Sequence, residues 1–334
     1  MFAIRVISQK EKVLWDQFIS KAPSGTLFHK YEWLEAAEKH TGYKLIPIVV
    51  FKGDVLICVF PVFYLKKGFI KILLSPPNAC SIPHLGPVFN IDSQKVYNFE
   101  KIYFNVIDQL LDYLASKIGY DYLKIALPPI VNDMRPFIWN IFRVSPEYTY
   151  EIPLSYGINE IFNSFDSRIR QQIRSAEKNK SLIIKKENPE IIKSFIKLIA
   201  KRYSEQGKEF KISEDYISNL LNGPLVNNIH FLAAYYNSSL ISGLVLIEYK
   251  NVIQHWLGAI SPKERIVGVN ELLHWTAIKD FESKGFKSYE LIGANTKHLC
   301  LNKSKYNPKL INYYVAEKMT MKGNIALNLF NRLR

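Results

Sequence analysis

HFLAAYYNSSLISGLVLIEYKNVIQHWLGA, residues 230–259, decides how the rest of the chain is read. It holds three apolar runs, His230–Tyr236, Leu240–Tyr249 and Val252–Ala259, the first two joined by Asn237-Ser238-Ser239. Runs of this length between polar turn residues predict an antiparallel meander. A helix from about Gly268 to Lys284 follows, and Gly285 stops it. Then come a strand at Ser288–Ile292, a loop, and a strand at Leu310–Met319. Upstream, a strand near Tyr148–Leu154 leads into a helix carrying Arg168, Arg170, Arg174 and Lys178. Asn188-Pro189 opens a helix that buries Ile192, Phe195, Ile199 and Tyr203, with Pro at its first position. Ser213 caps the next helix, and Asn222-Gly223-Pro224 ends it.

The first half repeats this grammar. Ser8 and Glu11 form a capping box opening a helix with Val13, Trp15, Phe18 and Ile19. A helix over Tyr31–His40 ends before Gly42. Leu45–Phe51 and Val55–Phe60 flank Lys52-Gly53-Asp54 as a hairpin, and Phe69–Leu74 adds a strand. Ser75–Pro87, with four prolines, is an irregular loop. A helix at Ser93–Lys117 and a strand at Tyr122–Leu127 follow. Helices, a meander, a helix and a further strand make each half mixed α/β, neither a run of βαβ units nor all-β. At 334 residues, the chain predicts two domains, 1–152 and 153–334, with the tail 320–334 packing back on the first.

Composition narrows the function. With 48% hydrophobic and 22% charged residues the chain can fill two cores. The most apolar stretch, Leu45–Leu65, is broken by Lys52, Gly53 and Asp54, so no spanning helix is predicted. MFAIRVISQKEK lacks the pattern of a signal peptide. Cys58, Cys80 and Cys300 suggest no disulfide framework, and a cytoplasmic setting is expected. The seven histidines show no metal-ligand spacing, so no metal is expected. Of the net charge of +14, residues 1–152 carry +3 (17 basic, 14 acidic) and residues 153–334 carry +11 (27 basic, 16 acidic). Such a field attracts nucleotides, phosphates, tRNA or an acidic membrane face. The chain has no zinc-finger, RRM or helix-turn-helix signature, which argues against DNA and leaves RNA binding a minor reading.

Several stretches together resemble the FemAB-like branch of the GNAT acyltransferase superfamily. They are Tyr148–Ser155 followed by Arg168-Ile169-Arg170 and Ile173–Lys178; Glu271–Ile278 with Gly285 and Gly293; and Asn302-Lys303-Ser304-Lys305-Tyr306-Asn307 before Leu310 and Tyr313-Tyr314. Thr26-Leu27-Phe28 with Trp33 is similar to the family's opening segment. The chain departs from the family at Asn302, where an aromatic is usual, at Lys305, and at Asn307, where glycine is usual. Asn tolerates left-handed backbone, so the last change is mild.

The resemblance implies two tandem GNAT-like domains. It also implies an N-acyltransferase that uses acyl-CoA and an amine acceptor, as a small molecule or nucleotide-linked, on a cell-envelope or polysaccharide precursor. The alternative is a FemX-like aminoacyltransferase using aminoacyl-tRNA. A non-catalytic scaffold is the lesser alternative.

Direct transfer to an amine needs a neutral nucleophile, a stabilised oxyanion and aligned substrates, and no covalent nucleophile. The chain has no GxSxG motif. Arg265, Gly268 and Val269, between a strand and a helix, partly match a pyrophosphate loop, in which helix N–H groups face phosphate. The other reading is an ordinary helix entry with Asn270 as its cap. Lys303 aligns with the family lysine that stands beside the reacting groups. His255 and Trp256 alternate on one strand, so one faces a core and the other is free to face substrate. Tyr306 is a candidate for substrate stacking. Arg174, with Arg170 and Lys178, lies on a basic helix face opposite the apolar stripe of Ile169, Ile173 and Ala176.

Overall fold

The computed structural model describes residues 2–260 and 266–325. The chain forms two compact units, Met1–Glu147 with the chain from Asn312 onward, and Tyr148–Ile311. The sequence suggested 1–152 and 153–334 instead. The second break differs because the last strand pairs within the first unit.

That unit contains β1 (Phe2–Val6), α1 (Lys12–Lys21), α2 (Tyr31–Thr41), β2 (Lys44–Lys52), β3 (Val55–Lys67), β4 (Ile70–Ser75), β5 (Val88–Phe89), α3 (Val96–Tyr113), β6 (Tyr122–Ala126) and α4 (Arg135–Trp139). β7 (Arg143–Pro153) then carries the chain into the second unit. There follow α5 (Ile158–Ser164), α6 (Ser167–Glu177), β8 (Leu182–Glu187), α7 (Ile192–Ser204), α8 (Glu214–Leu221), β9 (Ile229–Tyr236), β10 (Ser239–Tyr249), β11 (Val252–Ile260), α9 (Val269–Ser283), β12 (Ser288–Leu291) and α10 (Lys297–Lys303). β13 (Lys309–Met319) returns to the first unit.

The two units share one strand plan. In the first the order is β1-β2-β3-β4-β6-β13, and in the second it is β8-β9-β10-β11-β12-β7. Each has one parallel pair, β4 with β6 and β11 with β12, while the neighbouring pairs are antiparallel. Each sixth strand is reached from the other half of the chain, and β13 pairs with β6 from Val315↔Ala126 to Met319↔Tyr122. β8, an edge strand, was not anticipated. Its sequence, Leu182-Ile183-Ile184 followed by Lys185-Lys186-Glu187, does not alternate apolar with polar, and Leu182 and Ile184 are only partly buried.

Helix periodicity explains the cores. α3 buries Tyr103, Val106, Ile107, Leu110 and Leu111 against the first sheet. α6 buries Ile169, Ile173 and Ala176, beside α9, whose Leu272, Leu273, Ile278 and Phe281 join the same core. Each buried Val, Leu or Ile among them contributes roughly 1.5–3 kcal/mol. Among the described residues no helix is long and apolar enough to cross a membrane. The start of the tail docks within its unit: Thr320 N donates to Asp121 O at 2.9 Å. The tail beyond Ile325 lies outside the described residues.

Candidate functional site

In the second unit β11 and β12 pair over three positions only, Val252↔Ser288 to Gln254↔Glu290. From His255 on, β11 runs without a β12 partner, while the chain after β12 stays with β7: Ala294 N donates to Tyr148 O at 3.1 Å and Tyr148 N to Asn295 Oδ1 at 2.8 Å. A bulge falls at Trp256, because Val245 pairs Leu257 and Leu246 pairs His255. Buried Glu290 braces the end of the pairing, accepting from Gln254 Nε2 and from Thr149 Oγ1. Burial raises its pKa.

The first unit closes the corresponding gap with its own backbone. β4 and β6 pair as far as Ser75↔Ile125. The Pro-rich loop then doubles back, with Leu85 N donating to Ala126 O at 2.8 Å and Gly86 N to Ser75 Oγ at 3.0 Å. A Cβ on Gly86 would stand 3.2 Å from Leu127 Cα.

Lys303 lies at the mouth of the open fork. It ends α10, and its Nζ donates to the carbonyl oxygens of Ile292 and, at 3.0 Å, of Gly293. These are carbonyls left without a ladder partner where β12 ends. Desolvation lowers the Lys303 pKa to about 8. Behind it, His255 of β11 stands edge to face with His274 of α9, ring centroids 4.8 Å apart. His274 Nδ1 shares a 2.7 Å hydrogen bond with Tyr289 Oη of β12. Tyr306 is buried 5.4 Å from His274 and edge-on to Phe165 at 5.3 Å.

Both ring nitrogens of His255 are shielded and make no hydrogen bond of good geometry. The ring packs so tightly over Gly258 that a Cβ there would stand 2.5 Å from Nε2. Burial, reinforced by the Lys303 charge, drives both histidines toward the neutral form, His274 to about 3. Asn307 takes φ 49°, ψ 45°, the left-handed conformation its sequence position implied.

The structure thus brings Lys303, His255 and Tyr306 together and adds His274 and Tyr289, which sequence reasoning missed. The signal was present in α9: His274 stands between Leu273 and Trp275, in a run of the helix that is buried from Leu272 to Trp275. Trp256 is turned to the other face of the sheet, edge-on to Tyr216 of α8 at 6.2 Å, and does not join this group. Arg174 lies over the Phe162 ring at 5.4 Å, and Arg170 caps the end of α5 through Phe165 O at 2.8 Å. Arg265 lies outside the described residues. Val269 is a core residue. Gly268 caps α9 at φ 87° with no side-chain hydrogen bond. The place of its missing Cβ is filled by the carbonyl of Gln172 in α6, at 2.2 Å, so its smallness serves a helix contact. The first-turn N–H groups of α9 remain the feature suited to phosphate.

The buried histidines make stability pH-dependent. His274, and His84 of the first unit, held near 4 by burial, are neutral when folded and titrate near 6.5 when unfolded. Lowered folded values mean that the unfolded chain binds protons first. Stability is therefore full above about pH 6.5 and falls as pH drops toward the folded values. At pH 5 each histidine is expected to have lost about 2 kcal/mol. Urea midpoints at pH 7.5 and pH 5 check this, and His84→Phe should flatten the dependence.

Residues 163–298 match the family model of the acetyltransferase (GNAT) domain. No curated protein sequence matches the chain. Among solved structures it is similar to FemX, with a TM-score of 0.71 at 15% identity, covering 97% of this chain and 99% of that one. It is also similar to the C-terminal domain of a putative lysylphosphatidylglycerol synthetase from Agrobacterium fabrum, at 0.58 and 12%, over 96% of each chain. A tandem GNAT protein from the clavulanic acid biosynthesis pathway scores 0.56 at 8%, over 96% of this chain and 98% of that one. The acetyltransferase (GNAT) family is thus matched within the second unit, at residues 163–298, and the chain as a whole has the fold of FemX over nearly its whole length.

Proposed function

We propose that the chain is a cytoplasmic N-acyltransferase that moves an acyl group from acyl-CoA to an amine on a cell-envelope or polysaccharide precursor. The observation that supports it most is the parting of β11 and β12 at His255, within the segment matching the acetyltransferase family. An unpaired strand edge accepts an extended chain bearing amides, such as the pantetheine arm of CoA. That arm would lead the thioester toward His255 and Lys303. The N–H groups that open α9 are suited to the pyrophosphate.

In the transfer, the acceptor nitrogen attacks the thioester carbonyl and forms the C–N bond. The C–S bond breaks and the thiolate takes up a proton. The amine must shed its proton, and His255, held in the neutral form by burial, is the candidate to receive it. The Lys303 ammonium is suited to the developing oxyanion.

A second reading, transfer from aminoacyl-tRNA, is favoured by the +11 charge of residues 153–334, which a nucleic-acid backbone would exploit. Calorimetry at physiological salt separates the two. Micromolar acetyl-CoA binding without competition from charged tRNA is the expected result. Saturable aminoacyl transfer from tRNA, with no affinity for CoA, would overturn it.

A further inference from the structure

The first unit carries a basic and apolar surface at one end of its sheet. The β3–β4 turn, Lys67 to Phe69 around Gly68 (φ 60°), places Phe69 64% exposed beside exposed Lys66 and Lys67. The chain after β13 meets this turn. Lys322 Nζ donates to Phe69 O at 2.8 Å and stands 5.6 Å from the centre of its ring. Met321 is 80% exposed and Ile325 55%. They are four residues apart in a short helical segment, and so share a face.

The arrangement is built around Asp121. This buried residue receives Thr320 N at 2.9 Å on its carbonyl, Lys71 N at 2.8 Å on its carboxylate, and Lys322 Nζ at 3.4 Å. Gly323 completes it, since a Cβ there would stand 2.4 Å from Asp121 O. The charge is one-sided. Lys66, Lys67, Lys71 and Lys322 gather at this end, with exposed Lys117 just before Gly119, whose missing Cβ would stand 3.1 Å from Lys71 Nζ. The Asp121 carboxylate is already engaged by the backbone N–H of Lys71 and by the Lys322 ammonium.

Monomeric surfaces seldom hold three large apolar side chains in the open inside a ring of lysines, and such pairing suits a lipid interface. RNA would ask for free aromatic faces. Here Phe69 is the aromatic among the three exposed apolar groups, and Lys322 already stands over it.

We propose that this end of the first unit docks on a bilayer bearing anionic lipid headgroups. Phe69, Met321 and Ile325 enter the interface, and Lys66, Lys67 and Lys322 lie over the headgroups. A precursor carried on a lipid would then be met at the surface where it resides.

The test is sedimentation of the full chain with large unilamellar vesicles of phosphatidylcholine, alone or with one quarter phosphatidylglycerol. The chain is expected to pellet with the anionic vesicles, and less so as salt rises. K66Q/K67Q should weaken binding about thirtyfold, at roughly fivefold per lysine. F69S/M321S should weaken it at least tenfold while keeping the salt dependence. Circular dichroism melts unchanged from the parent would show that both variants fold. Equal binding to neutral vesicles, or full binding by K66Q/K67Q, would overturn the proposal. So would failure to pellet with anionic vesicles, including the case in which a short RNA duplex binds and K66Q/K67Q abolishes that. The readout is independent of acyl transfer, so it stands or falls apart from the donor assignment.

Discussion

Lys303→Ala is expected to lower turnover at least tenfold, with substrate binding changed less. Tenfold corresponds to about 1.4 kcal/mol of transition-state stabilisation, a small demand on a cation beside a developing oxyanion. The site's geometry raises the expectation above that of a surface lysine. Nζ is held by two backbone carbonyls where β11 and β12 part, and burial has already brought its pKa to about 8. The pH profile gives the sharper reading. If the ammonium is the working form, kcat falls as pH rises through about 8. Lys303→Arg, charged at every accessible pH, should lose that alkaline limb while keeping part of the rate. The alanine variant leaves two carbonyls without a donor, at a stability cost of about 1–3 kcal/mol, so a thermal melt must accompany the kinetics. A folded Lys303→Ala enzyme with parental kcat would remove Lys303 from the mechanism.

Gly268→Ala is expected to be the most damaging single-methyl change in the second unit. The new Cβ would stand 2.2 Å from the Gln172 carbonyl oxygen and 2.8 Å from its carbon, both backbone atoms of a packed helix. It would also hold an alanine at φ 87°. Strain of this kind and displacement of α6 from α9 together should cost roughly 3 kcal/mol or more. Gly285 is the internal control. It ends the same helix at φ 80° with open space where its Cβ would go, so Gly285→Ala should cost only about 1 kcal/mol, through backbone strain alone. Denaturant midpoints of the two variants check the ordering. Equal midpoints would mean that the α6–α9 approach is looser than the distances state. A loss of CoA binding in a Gly268 variant therefore reports on phosphate contacts only if the fold has first been shown to survive.

The candidate site was legible in part. Lys303, His255 and Tyr306 were singled out from sequence, Lys303 through its resemblance to a family position and His255 through its place on an apolar strand. Their meeting was not legible, because His255, His274, Tyr289 and Lys303 come from four different elements. Gly268 was read for phosphate, yet the atom that requires it to be small belongs to α6, about a hundred residues upstream.

What the sequence by itself determined is local. The Ser8–Glu11 capping box, the Ser213 and Asn188 caps, the left-handed Gly42, Gly285 and Asn307, and the apolar stripe of α6 all stand where the residues placed them. Each depends on interactions within a few residues or on the φ range a side chain permits, so a single stretch suffices to read it. The tertiary structure alone decided that β13 closes the first sheet, that β11 and β12 part after three pairs, and that the first unit fills the same gap with its Pro-rich loop. A strand's alternation states which face is buried, not which partner it will take. Partner and extent of pairing follow from the packing of whole cores, where side chains distant in sequence fill one another's space.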